Sequence, residues 1–113
     1  MGTDRTIFLA HLSVAWRPEA CSWREWKDWV YGPQYNACLA REPLDDWQVE
    51  LAFTGIWSGP PWETPKFFKV VIIHPEHSAF WGEYETYEQA RRGMQQALEE
   101  CWRRAQQAAA GNG

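Results

Sequence analysis

Apolar and polar positions alternate along residues 5–16. Phe8, Ala10, Leu12, Val14 and Trp16 fall on one side of an extended chain, and Ile7, Leu9, His11 and Ser13 fall on the other. Both sides are apolar near the start, which predicts a central strand covered on both faces. Arg17-Pro18 ends it, because proline has no ladder donor. From residue 22 the period changes. Trp23, Trp26, Trp29 and Val30 trace one stripe at helical spacing, with Arg24, Lys27 and Asp28 opposite. Ser22 and Glu25 have the spacing of a capping box, so a short helix is predicted over 22–31, stopped by Gly32-Pro33. Pro33 also suits the first turn of a second short helix, with Tyr35, Cys38 and Leu39 inward and Pro43 at its end.

Residues 47–57 alternate again. Val49, Leu51, Phe53, Gly55 and Trp57 oppose Gln48, Glu50, Ala52 and Thr54, the pattern of a half-buried antiparallel strand. Residues 58–65 hold three prolines and a glycine and predict a stiff loop. Residues 66–74 are the strongest strand, because β-branched and aromatic side chains run almost without a break. A turn at 74–77 leads to a strand over 79–85. It places Phe80, Gly82 and Tyr84 on one face and Trp81, Glu83 and Glu85 on the other, wet face.

The clearest element is a helix over 86–108. Thr86 and Gln89 have capping-box spacing, and Ala90, Met94, Ala97, Leu98, Cys101, Trp102 and Ala105 form its apolar stripe. Glu88–Arg92, Glu99–Arg103 and Glu100–Arg104 are spaced for pairs worth roughly a few tenths of a kcal/mol each. Gly93 inside this helix costs about 1 kcal/mol relative to alanine and marks a close helix–sheet approach. Residues 108–113 fray. The order β-α-(α)-β-β-β-α predicts one α+β domain over 1–113. Its small antiparallel sheet of about four strands is packed by the long C-terminal helix and the short Trp-rich helix.

Composition sharpens this picture at one point. The chain holds nine tryptophans in 113 residues, more than one small core needs. Trp26, Trp29 and Trp102 fit the core by stripe position. Trp62 in the stiff loop and Trp57 and Trp81 on strands are expected to meet another molecule, because indole joins a large apolar area to one polar N–H. The net charge is −4, and the middle of the chain is acidic. Glu42, Asp45, Asp46, Glu50, Glu63, Glu76, Glu83, Glu85 and Glu88 stand there against Lys66 and Lys69. Such a field attracts basic partners and repels phosphate backbones. No apolar run is long enough to span a membrane. The three widely spaced cysteines argue for a reducing, cytoplasmic setting.

Candidate chemistry is sparse. His74, Glu76 and His77 could form a hydrolytic or metal cluster at a turn, but their spacing matches no zinc signature. Cys21 precedes a helix N-terminus, where a thiolate is favoured. Cys38 and Cys101 read as buried thiols. No phosphate-binding glycine loop is present. The leading expectation is a non-enzymatic protein-interaction module without cofactor, metal or catalytic residues. It would be a small acidic inhibitor of the kind viruses use against host defences, occupying a basic nucleic-acid-binding surface of a partner protein. Its partner-binding set is Trp57, Trp62, Trp81, Glu63, Glu83, Glu85, Asp45 and Asp46. It is expected to bind neither nucleic acid nor membrane directly, and a homodimer stays open. One alternative is a small-ligand-binding domain with an aromatic pocket from Trp57, Trp62 and Trp81. The other is a hydrolase using His74, Glu76 and His77.

Overall fold

The computed structural model describes residues 5–13, 15–32 and 38–111, without the side chains of His77 and of 109–111. The fold is α+β, with two antiparallel sheets and two helices among these residues. Strands β1 (Thr6–Leu12) and β2 (Pro18–Ala20) lead into helix α1 (Trp23–Val30). Strands β3 (Cys38–Leu44), β4 (Trp47–Phe53), β5 (Ile56–Gly59), β6 (Phe68–His74) and β7 (His77–Tyr84) follow, and helix α2 (Tyr87–Gly111) closes the chain. The larger sheet has the order β3-β4-β6-β7 and the smaller one β2-β1-β5.

The core lies between α2 and the larger sheet. Val49, Leu51 and Phe53 of β4 and Phe68, Val70 and Ile72 of β6 point the same way by strand alternation. Ala90, Met94, Ala97 and Cys101 meet them from α2 at helical spacing, and all of these side chains are buried. The α2 start is capped. The Gln89 N–H donates to Thr86 Oγ1 at 3.1 Å, and the Gln89 side chain accepts from the Glu85 N–H at 3.2 Å. Of the expected helix pairs, Glu100–Arg104 forms, whereas Arg103 turns to Glu100 as well instead of Glu99.

Helix α1 has its full capping box. Glu25 N–H donates to Ser22 Oγ at 3.1 Å, and Ser22 N–H donates to Glu25 Oε1 at 2.9 Å. These bonds hold the Glu25 carboxyl below the usual carboxylate range. Trp29 packs edge-on against Phe53 at 5.6 Å between ring centroids, which ties α1 to the end of β4. A second tie comes from Trp16. It adopts a φ of 63° in a tight turn where Ser13 Oγ accepts from the Ala15 and Arg17 N–H groups. Its ring stacks on Tyr87 at 5.0 Å.

Four features differ from the sequence reading, each for a local reason. Cys38 and Leu39 belong to a strand, not to a second helix, and residues 33–37 lie outside the described residues. Asp45, at φ 53°, closes a tight turn that pairs Leu44 with Trp47. Short polar residues tolerate that left-handed geometry. Pro43 is tolerated because β3 is an edge strand.

The alternation over 47–57 is two strands in two sheets. The chain turns a corner at Thr54-Gly55, where Thr54 N–H and Oγ1 both donate to the Phe67 carbonyl at 2.7 and 3.0 Å. Gly55 takes a φ of 70°. The pairing of β1 with β5 then reaches Gly59, so the loop begins at Pro60. Next, β1 ends at Leu12 and is central in its sheet, but Ile7 is exposed, so it is not covered on both faces. Last, a β-bulge between Val70 and Val71 sets two residues, Trp81 and Gly82, against one step of β6. Trp81 therefore turns to the α2 side and packs against the core, away from Glu83.

Gly55 carries a prediction. A Cβ there would lie 2.8 Å from the Ala10 carbonyl oxygen and 2.8 Å from Trp26 Nε1. Left-handed backbone adds about 1–2 kcal/mol for any other residue. Gly55→Ala is expected to lower unfolding stability by roughly 2–3 kcal/mol. Urea denaturation should show a lower midpoint with an unchanged slope. An unchanged midpoint would mean the corner relaxes freely.

Candidate functional site

The tryptophans divide by position in the fold. None of the nine is fully buried. Trp26, Trp29, Trp47, Trp57 and Trp81 are half-buried, and Trp16, Trp23, Trp62 and Trp102 are exposed. Trp62 is 73% exposed in the proline-rich loop, as its sequence context predicts. Trp57 is not free. It lies over Gly59, packs against Phe8 at 5.7 Å and has Lys66 Nζ 5.8 Å from its ring. Trp102, assigned by its stripe to the core, is 56% exposed.

Trp102 is exposed because α2 crosses the sheet and reaches its β3 edge near this turn. Between the edge and the helix runs a groove of about 620 Å³. Pro43 and Leu44 of β3 and Leu98 and Trp102 of α2 give it an apolar lining, and Glu42, Gln95, Glu99 and Arg103 stand along it. Asp45 and Asp46 follow Leu44 directly in the turn. None of these four carboxylates has an ion-pair partner among the described residues. The cations nearby are already engaged. Arg103 and Arg104 both bond Glu100, whose carboxyl is held low first by the Arg103 hydrogen bond. Arg104 also lies 5.8 Å from the Trp47 ring. The groove is thus apolar within, and four carboxylates at and beside its rim outnumber the one arginine, Arg103, that lines it.

The expected partner-binding residues do not converge. Asp45 and Asp46 sit beside this groove. Trp62 and Glu63 are in the loop after β5, where Glu63 N–H donates to the Pro60 carbonyl at 3.1 Å. Trp81 lines a shallow cleft against Gln96, Glu99 and Arg103 on the other flank of α2. Glu83 pairs across the strands with Lys69 on the opposite sheet face, and Glu85 precedes α2. No ring contact joins any two of Trp57, Trp62 and Trp81 among the described residues. Leu44, Leu98 and Trp102 are the groove-lining residues that the sequence concealed. The only signal was an indole at the far end of a helix stripe longer than the sheet beneath it.

The other candidates gain little from the geometry. His74 rests on Trp47 at 4.5 Å, and its Nδ1 accepts from the Glu76 backbone N–H at 3.3 Å. Glu76 therefore offers this ring its amide, and the His77 side chain lies outside the described residues. No group of three metal-ligating side chains occurs among the described residues. Cys21, expected to favour the thiolate, is pushed the other way, first by burial and then by Glu25. Burial likewise raises the Cys101 thiol. No helix among the described residues is long and apolar enough to cross a membrane. Comparison with protein-family models, curated proteins and solved structures found no match to this chain.

Proposed function

We propose that this chain is a non-enzymatic interaction protein that holds a basic, partly apolar segment of a partner protein in the groove between β3 and α2. One observation supports the reading above others. An apolar lining is bordered by carboxylates that outnumber the lining Arg103 and form no ion pair among the described residues. Leu44, Leu98 and the Trp102 ring offer area to apolar side chains. Glu42, Asp45, Asp46 and Glu99 speed encounter with Lys and Arg and exclude acidic competitors. Basic surfaces of this kind commonly serve nucleic acids, so occupation blocks them. The biological role is then that of a small acidic inhibitor, of the type viruses direct at host defences. The same rim repels phosphate backbones, so the chain itself binds no nucleic acid.

The test uses labelled peptides in which leucine alternates with arginine and lysine, and matched peptides with glutamate in place of each cation. Fluorescence anisotropy is expected to show binding of the basic series only, weakening as salt rises. Trp102→Ala is expected to weaken it by about tenfold, equivalent to about 1.4 kcal/mol. A Glu42→Lys, Glu99→Lys double variant is expected to abolish it. Equal affinity for the acidic series, or no loss on Trp102→Ala, would overturn the proposal. So would binding of a labelled DNA duplex with comparable affinity.

A further inference from the structure

The larger sheet has a second face, opposite α2. Its composition follows from strand alternation and register. Val71 lies opposite Glu50 and Phe80, Lys69 opposite Ala52 and Glu83, and Ile73 opposite Gln48 and Ser78. Ala52, Val71, Ile73 and Phe80 therefore form an apolar centre, and Phe80 is 59% exposed. Among the described elements, α2 packs on the other face of the larger sheet, and Trp29 of α1 meets it at Phe53, which points to that same other face.

We infer that this face is the contact between two copies of the chain, packed sheet against sheet. Area is the first argument. The chain exposes 7670 Å², whereas a folded monomer of its 13.2 kDa exposes about 6,400 Å². Its radius of gyration is 16.6 Å, against about 13 Å for one compact chain of this length. It is also only 24 Å thick, the depth of one sheet and one helix. Strands roughly 4.8 Å apart and seven residues long span about 19 by 23 Å. Two such faces cover roughly 870 Å² in flat projection, and side-chain relief brings them toward the lower end of a standard interface, about 1,200 Å² in total.

Charge and shape are the second argument, and they select a second copy over other occupants. Arg41 pairs with Glu50 at 2.8 Å on this face, and Lys69 stands opposite Glu83. The face is balanced in sign, unlike the groove across the molecule. A uniformly basic or acidic partner would meet like charge at half of these positions. A two-fold axis instead brings each patch against itself, and an axis that passes between its cations and its anions sets opposite charges of the two copies together. A hollow of about 370 Å³ lies beside Phe80, lined by Lys69, Val71, Ile73 and Ser78. Phe80 forms one wall of this hollow, with Lys69 Nζ 5.8 Å from its ring centroid, so each face offers both an exposed ring and a recess. The product is a β-sandwich with a helix on each outer side. It leaves both β3–α2 grooves open.

Analytical ultracentrifugation of the full chain over a concentration series tests this. A mass of twice 13.2 kDa is expected at high concentration, dissociating on dilution. Phe80→Lys is expected to raise the dissociation constant at least about tenfold, with the far-ultraviolet circular dichroism unchanged. Lys69→Glu is expected to weaken the dimer as well, and adding Glu83→Lys to it is expected to restore much of the loss. Trp102→Ala is expected to leave the mass unchanged, which separates this surface from the groove. A monomer at every concentration would overturn the inference. So would a dimer that resists Phe80→Lys and the Lys69→Glu change, or one abolished by Trp102→Ala.

Discussion

Gly93→Val is expected to lower the stability of this protein by more than about 3 kcal/mol, and Gly93→Ala by about 2 kcal/mol. At an exposed helix position the alanine change would gain about 1 kcal/mol through helix propensity. Here the glycine faces the sheet. A Cβ at 93 would enter the space of the Tyr84 ring, and one at Gly82 would lie 2.7 Å from the Tyr84 hydroxyl. The ring is held between two glycines, one on the helix and one on its own strand. To clear a new Cβ the ring must swing away from both glycines and give up packing against the core. Burial raises the Tyr84 hydroxyl above its ordinary value, while the Trp81 side chain lowers it by hydrogen bonding.

Overpacking of a core costs about 1–3 kcal/mol, and a branched side chain against a fixed ring lies at or above the top of that range. Gly93→Ala is expected to lose about 2 kcal/mol net, and Gly93→Val more than about 3 kcal/mol, out of the roughly 5–15 kcal/mol typical of a domain. Chemical denaturation measures both. In a double-mutant cycle with Tyr84→Ala, the two losses are expected to be less than additive, because removing the ring empties the space. A rise in stability for Gly93→Ala would show that helix and sheet do not approach this closely.

Phe53→Ala is expected to cost about 3–5 kcal/mol. Phe53 is fully buried and stands where the chain leaves the larger sheet for the smaller one. Its ring meets Trp29 of α1 edge-on and lies 5.9 Å from Phe67 and 5.2 Å from Phe68. The truncation removes a core side chain and also one of the ties between two halves of the molecule. Trp29 is then expected to shift to red-shifted, more accessible fluorescence even where the chain remains folded. Phe53→Leu, which keeps much of the volume, is expected to lose less than half as much. A loss under about 1 kcal/mol with unchanged Trp29 emission would show that the halves are joined elsewhere.

The periodic parts of the chain were legible from sequence because one local cause decides them. The Ser22–Glu25 box, the Thr86 cap, the stripe from Ala90 to Cys101 and the run from Phe68 to His74 all behave so. Gly93 was legible too, since a glycine inside a strong helix pattern is costly unless something must fit against it. The corner at Gly55 was hidden because its flanking residues continue the same period-two pattern while the strand changes sheet. The bulge at Trp81 was hidden for a related reason. One extra residue reverses every later side chain, and alternation alone gives no sign of it. That reversal separated Trp81 from Glu83 and dispersed the expected aromatic site. The exposure of Trp102 depends on how far the sheet extends beneath α2, a dimension set by tertiary packing.

The pairing of β1 with β5 joins Thr6 to Gly59, and its consequence concerns the order of assembly. Strands β3 and β4, and then β6 and β7, close between near neighbours in the chain, and α2 follows at once. Such local closures are fast. The amino-terminal strand leaves the ribosome first, yet its mate is not translated until about fifty residues later, and closing so long a loop is entropically slow. Until then β1 has only the three-residue β2 beside it, and its other edge stays open to chaperones and to any unpaired edge nearby.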